Sequence, residues 1–357
     1  MNDMGRGFIL VPSNRRNDSH MTSLKDVAEL AGVSTSTVSR VINGTMYVTD
    51  ETKQRVEAAI AAVNYKPNLL AQSLRLKATR NIGLLVPEIA HPSFNLMIKY
   101  IEESAAKRGL NLFIFDTQNS PEREAIAIDS FLRQRINGLI FSRVSDESHV
   151  AHMVKSTNTA MVIIDRAFNN EEIPNIILDN YKAGVLAAKH LIECGCKRVA
   201  TITGSFNIGL SRDRHQGFKD TLERHGYEVF PDLVHEGEFS FENGIAGVQH
   251  FIRSGISFDG IWGQNDLIAA GAISALLRKG YKVPQDVAVM GMDDVQFAYM
   301  YHPSITSIAQ PYKEMCEKAI DCIDKITRGI PLNNFHVLFP PHLVKRESTD
   351  RKRGRQT

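Results

Sequence analysis

From Asn81 onward the chain alternates short apolar runs with longer amphipathic stretches, and this alternation restricts the fold more than any other feature. The apolar runs are Ile82–Val86, Leu110–Phe115, Gly138–Phe141, Ala160–Ile164, Val199–Thr203, Gly260–Trp262 and Val287–Met290. They read as strands, and helical periods lie between them at about 93–108, 122–135, 181–194, 211–225, 242–253, 266–279 and 311–328. Strand–helix alternation predicts parallel sheets covered by helices on both faces. There are too many elements for one small sheet, and a break near Asp179–Lys182 divides them into two similar halves, each able to form a doubly wound sheet. Ligands of such sheets bind beyond the C-terminal strand ends, so the residues just after the strands are the candidates for a site.

The segment ahead of this core has a different texture. Ser23 can cap a helix over Leu24–Ala31, whose apolar face is Leu24, Val27, Ala28 and Ala31, and Gly32 ends it. Ser34 can cap a second helix, Thr35–Ile42, with Val38, Val41 and Ile42 inward and Asn43-Gly44 as terminator. A third starts at Thr49 or Asp50 and turns Val56, Ala59, Ile60 and Val63 to one side. Two helices joined by a short Gly-containing turn and braced by a third predict a helix-turn-helix head over 22–67. Residues 68–79 hold one more short amphipathic stretch, NLLAQSLRLK, too short to be a stable helix alone in water. Residues 1–21 show no helical or strand period and read as a loose arm, or as the product of an upstream start codon.

Charge is distributed unevenly. The chain as a whole is +2, but residues 22–80 carry +3, the stretch from Pro341 onward +4, the first 21 residues +1 and residues 81–340 carry −6. A basic head on an acidic body points to a polyanion contacted through one end. Four cysteines in 357 residues do not make a disulfide framework, and they read as reduced thiols. No apolar run approaches a membrane span, and Phe8–Val11 is too short for the apolar core of a signal peptide, so a cytoplasmic protein is expected. Twelve histidines include no His-Glu-x-x-His or other clustered ligand spacing, so no metal or cofactor is expected. Gly204-x-x-x-x-Gly209 is followed by Leu210-Ser211 where a phosphate loop needs Lys-Ser/Thr, and no Gly-x-Ser-x-Gly elbow occurs. A catalytic reading has no residues to stand on.

LKDVAELAGVSTSTVSRVIN (24–43) and VEAAIAAVNYKPNLLAQSL (56–74) resemble the lactose-repressor (LacI/GalR) family of bacterial transcription regulators. The resemblance runs from about Thr22 to Glu347, and the strand ends of the core are also similar to periplasmic sugar-binding proteins, particularly the ribose binder. It implies a small all-α DNA-binding domain followed by a two-lobed α/β core of doubly wound parallel sheets. In that core (80–345) the first lobe would span about 80–180 plus 311–340, the second about 181–310, and residues 346–357 would form a basic tail.

By this resemblance Thr35, Ser36 and Arg40 occupy base-reading positions of the second helix, which lies in the major groove. Arg40 can grip guanine O6 and N7 bidentately, whereas the small hydroxyls read bases weakly and leave the operator sequence open. Ser34, Thr37, Asn43 and Lys53 would fix register through phosphates. The stretch 68–79 would be a hinge that becomes helical only on DNA, where Leu74, flanked by Arg75, wedges into a central base step of the minor groove. The bland alternative is a linker helix packing Leu70 and Leu74 on the core. Paired hinges require a homodimer on a near-palindromic site.

At the strand ends, Phe94, Asp165, Arg166, Arg214, Phe239, Asn265, Asp293 and Gln310 resemble the positions that grip a pentose in ribose-binding-like proteins. Bidentate polar groups between aromatic walls suit a sugar ring. His91 and Ser93 depart from that pattern and put the first wall of the pocket in question. The expected function is a repressor controlled by a monosaccharide such as a ribose-like pentose. A purine effector, a phosphoprotein corepressor, a transport-type sugar binder and a sugar-modifying enzyme are the alternatives, and the sign of the response is open.

Overall fold

The computed structural model describes residues 23–44, 47–65, 79–144, 159–167 and 173–351. The chain divides into two compact units at Lys77–Ala78. In the first, α1 (Leu24–Ala31), α2 (Thr35–Asn43) and α3 (Asp50–Ala62) pack around Val27, Ala28, Ala31, Val38, Val56 and Ala59. Each boundary is set locally. Ser23 and Asp26 form a reciprocal capping box at the start of α1, and Ser34 accepts the Thr37 N–H at the start of α2. Gly32 and Gly44 stop these helices with φ of 64° and 61°, a backbone conformation that glycine adopts without strain.

The second unit holds two six-stranded sheets. Through the first half run β1 (Asn81–Val86), α4 (Pro92–Ala106), β2 (Asn111–Asp116), α5 (Pro121–Arg133), β3 (Gly138–Phe141), β4 (Ala160–Ile164) and β5 (Asn175–Leu178). The second half comprises α6 (Asn180–Glu193), β6 (Val199–Thr203), α7 (Gly209–Arg224), β7 (Val234–Glu236), α8 (Phe241–Ser254), β8 (Gly260–Gly263), α9 (Asp266–Arg278), β9 (Ala288–Asp293), α10 (Gln296–Met300) and β10 (Thr306–Ala309). The chain then returns to the first lobe for α11 (Tyr312–Thr327) and β11 (His336–Phe339), and ends in the second with β12 (His342–Val344). Strand orders are β11-β5-β4-β3-β1-β2 and β12-β10-β9-β8-β6-β7. Pairing is parallel except where Ser307 faces Val344 between β10 and β12. Apolar clusters cover both faces of each sheet, which accounts for the uninterrupted apolar runs of its inner strands.

The architecture is the expected α/β core preceded by a helix-turn-helix head, with differences in detail. Strands β5, β7, β11 and β12 are short and carry too little pattern to stand out in sequence. The second lobe also takes in residues 342–351, so the tail assigned to 346–357 is corrected over its first part. Ser348 and Thr349 are buried there, because Ser348 Oγ donates to Val289 O at 2.6 Å and Thr349 Oγ1 lies 2.8 Å from both His190 Nε2 and Thr306 Oγ1. Among the described residues no helix is long and apolar enough to cross a membrane. The arm assigned to 1–21 and nearly all of the 68–79 hinge lie outside the described residues.

Candidate functional site

On the head, Ser34 Oγ lies 2.7 Å from Ser36 Oγ and 2.9 Å from Thr37 Oγ1, and it accepts the Thr37 N–H at 3.2 Å. These hydroxyls form a polar cluster at the N-terminus of α2, where free backbone N–H groups attract anions. Thr35, Ser36 and Arg40 are exposed on this helix. Lys53, in the first turn of α3, stands 4.0 Å from Glu57 in an exposed pair that leaves the ammonium available to solvent. Asn43 is the last residue of α2, with its side chain outside the described set, as are Leu74 and Arg75.

In the core, a cleft of ≈ 720 Å³ opens between the lobes at the C-terminal ends of the strands. Of the residues expected there, Phe94, Asp165, Arg166, Arg214, Phe239, Asp293 and Gln310 line it. They come from distant parts of the chain: Phe94 from the first turn of α4, Asp165 and Arg166 from just past β4, Arg214 from α7, and Asp293 and Gln310 from the ends of β9 and β10. Close helix packing brings Arg214 into place. A Cβ on Gly184 of α6 would come within 2.1 Å of Arg214 O, and one on Gly217 within 2.0 Å of Tyr181 O, so only glycine permits this approach. The Phe239 ring likewise fits against Gly204, where a Cβ would meet it at 2.2 Å.

The polar groups are held before any ligand arrives. Arg214 donates from Nε to Asn180 Oδ1 at 2.8 Å and from Nη1 to Gln264 O at 2.9 Å, with its guanidinium 5.8 Å from the centre of the Phe239 ring. Arg166 Nη1 donates to Arg143 O at 2.9 Å and Val144 O at 2.6 Å, and its Nε stands 4.0 Å from Asp165. Gln310 Nε2 donates to Asp293 Oδ1 at 2.6 Å, while Gln310 Oε1 and Arg166 Nε are buried without a hydrogen-bond partner among the described residues. Asp165 and Asp293 both take positive φ, 71° and 100°, at their strand ends. Such conformations cost energy and persist where the surroundings enforce them, often at binding sites.

Burial raises the Asp165 carboxyl above its ordinary range, opposed by Arg166 and Arg214 and reinforced by Asp293. Beneath the floor, burial and Asp293 push Asp266 well above its usual value, and Ser307 Oγ donates to it at 2.7 Å. Tyr312 is shifted strongly upward by burial and by the same two cleft carboxylates, Asp293 and Asp165.

Asn265 is buried beside the cleft wall with its side chain already committed to protein partners. Its Oδ1 accepts the Ile268 N–H at 2.8 Å as the cap of α9, and its Nδ2 donates to Phe239 O at 3.2 Å and lies 2.9 Å from His91 Nε2. His91 and Ser93 stand at the cleft wall. Glu88, Asp116, Glu238, Phe241 and Glu242 also line it without having been singled out in sequence. Glu88 and Asp116 lie at or just past β1 and β2, the one signal that could have pointed to them, whereas Glu238 follows β7, which does not stand out in sequence. No group of His, Cys, Asp and Glu among the described residues could hold a metal ion.

Residues 79–336 match the family described as "Periplasmic binding proteins and sugar binding domain of LacI family", and residues 23–68 match "Bacterial regulatory proteins, lacI family". The chain is 33% identical over 334 residues to the HTH-type transcriptional repressor PurR of Actinobacillus pleuropneumoniae serotype 3 (strain JL03), covering 92% of this chain and 98% of that protein. It is 31% identical over 329 residues to the ribose operon repressor of Haemophilus influenzae (strain ATCC 51907 / DSM 11121 / KW20 / Rd), with the same coverage of 92% and 98%. A solved structure of the lac repressor dimer bound to operator and the anti-inducer ONPF superposes with a TM-score of 0.83 at 28% identity, covering 92% of this chain and 99% of that one.

Proposed function

The chain belongs to the LacI family and is a DNA-binding transcriptional repressor, not an enzyme; from that premise we propose that it binds a near-palindromic operator as a homodimer and is controlled by a monosaccharide of the ribose-like pentose class. The observation that carries this reading is the convergence of Phe94, Asp165, Arg214, Asp293 and Gln310 on one cleft, with polar groups already oriented and aromatic rings at its walls. Charged bidentate groups match adjacent hydroxyls, and the rings match the C–H faces of a sugar. Arg40 reads bases, Ser34, Thr37 and Lys53 bind phosphates, and Leu74 of the hinge wedges the minor groove in this scheme.

Dimerisation is supported by edge strand β2, where Phe113 and Ile114 are left 41% and 40% exposed. Apolar side chains on a sheet edge are a liability that a second copy would cover. Ligand closure of the cleft would move the paired first lobes and so the hinges, making DNA affinity depend on the effector.

Phe241 adds a third aromatic side chain to the cleft, which favours a purine base as the second reading. Thermal-shift titration of the full chain with a pentose, hexose and nucleobase panel tests both. A pentose is expected to raise the melting temperature most. A shift confined to nucleobases would replace the sugar reading with the purine one.

A further inference from the structure

Glu88, which follows β1, and Asp116, the last residue of β2, belong to the first lobe; Glu238, which follows β7, and Glu242, in the first turn of α8, belong to the second. All four line the same cleft, two on each side. Glu88, Glu238 and Glu242 are exposed and make no ion pair among the described residues, and Asp116 Oδ1 accepts only a backbone N–H, from Gln118 at 3.0 Å. Among the described residues no lysine lines the cleft, and the guanidiniums of Arg166 and Arg214 already donate to protein carbonyl and amide oxygens, Arg166 through Nη1 and Arg214 through Nε and Nη1.

Deeper in the cleft one acceptor and one donor are left unmet, Gln310 Oε1 and Arg166 Nε. Gln310 is 8% exposed, its Nε2 is committed to Asp293, and its Oε1 has no partner among the described residues. A buried acceptor of this kind calls for a donor on the ligand. The volume of ≈ 720 Å³ is several times that of one sugar ring, which leaves room for a further group between the acidic lips.

We infer that the effector carries a cationic group, an amine attached to the sugar, that sits between Glu88 and Asp116 on one lip and Glu238 and Glu242 on the other, and that phosphorylated sugars are rejected. This rests on the reading of the cleft as the effector site. Closing the lobes on a neutral ligand brings four carboxylates together, and like charges resist that approach. An ammonium between the lips lowers the resistance, so the charge of the effector is coupled to closure as well as to affinity.

The test is isothermal titration of the full-length protein with two matched series at neutral pH. One comprises glucose, glucosamine and glucose 6-phosphate; the other methyl riboside, its 5-amino-5-deoxy congener and its 5-phosphate. In at least one series the amine is expected to bind about tenfold more tightly than its hydroxyl parent and the phosphate more weakly, with the gain lost at high salt. In Glu238→Gln/Glu242→Gln the preference for the amine over its parent should fall by about half on a logarithmic scale, because Glu88 and Asp116 remain. If hydroxyl and amine congeners bind alike to the unsubstituted protein, or the phosphate binds best, the inference is overturned while the sugar reading stands. If no member of either series binds, the sugar reading is overturned and this inference with it.

Discussion

His91 Nε2 lies 2.9 Å from Asn265 Nδ2 and joins the two lobes across the cleft. Both residues are helix caps, His91 ahead of α4 and Asn265 ahead of α9. The Asn265 amide cannot turn over without losing the Ile268 N–H at Oδ1 and the Phe239 carbonyl at Nδ2. Asn265 therefore presents a donor and His91 Nε2 accepts it, while His91 Nδ1 lies 2.7 Å from Ser93 Oγ and 3.4 Å from Ser93 N.

A hydrogen bond that ties the lobes without ligand biases the cleft towards closure. His91→Ala should open the ligand-free protein and weaken effector binding by about threefold to tenfold, the effect of losing one such bond of ~1 kcal/mol. Small-angle scattering of the free protein and titration of the effector measure the two effects. An unchanged radius of gyration together with unchanged affinity would show that the bond does not bias closure.

Arg214 serves as scaffold and as ligand-facing group at once, since it holds Asn180 and the Gln264 carbonyl while its guanidinium faces Phe239. Arg214→Ala should raise the effector dissociation constant at least about thirtyfold, because truncating a buried charged hydrogen-bonding group costs ~2–5 kcal/mol. Operator affinity without effector should be retained. Gel-shift titrations with and without effector separate these outcomes, and a retained response would show that the pocket is misassigned.

Arg40 is exposed near the end of α2, free to reach a base edge. Arg40→Ala should abolish discrimination between operator and random duplex, worth ~1–3 kcal/mol, while nonspecific binding keeps its salt dependence. Competition binding at several salt concentrations reads this directly. A uniform loss on both duplexes would make Arg40 a phosphate contact.

His190 is buried against Thr349 and held down to about 4 by burial, with Lys345 adding to the shift. A histidine whose folded value lies below its unfolded one stabilises the fold fully above pH ~6.5, and that contribution is lost as pH falls towards the folded value. Melting temperature should therefore drop between pH ~6.5 and about 4, by an amount corresponding to ~2–3 kcal/mol. In His190→Gln this part of the pH dependence should be absent. Parallel acid profiles for the two proteins would place the titration elsewhere.

The sequence by itself determined everything that neighbours along the chain can decide. Ser23, Gly32, Ser34 and Gly44 mark the head helices through caps and left-handed turns that need no distant partner. Asp165 and Asp293 were legible because each closes an apolar strand in an α/β alternation whose ligand edge is known from topology. Tertiary structure alone decided the rest. Strand β11 exists because its residues pair with β5, from His336 opposite Asn175 to Phe339 opposite Leu178, and neither segment carries a period strong enough to declare itself. Thr349 leaves the basic tail because His190 and Thr306 receive it in the second lobe. Asn265 is committed across the cleft to His91, 174 positions away. Caps and periodicities act over a few residues, whereas these pairings depend on how two sheets connected by repeated crossings bring distant segments within hydrogen-bond reach, a distance no local pattern encodes.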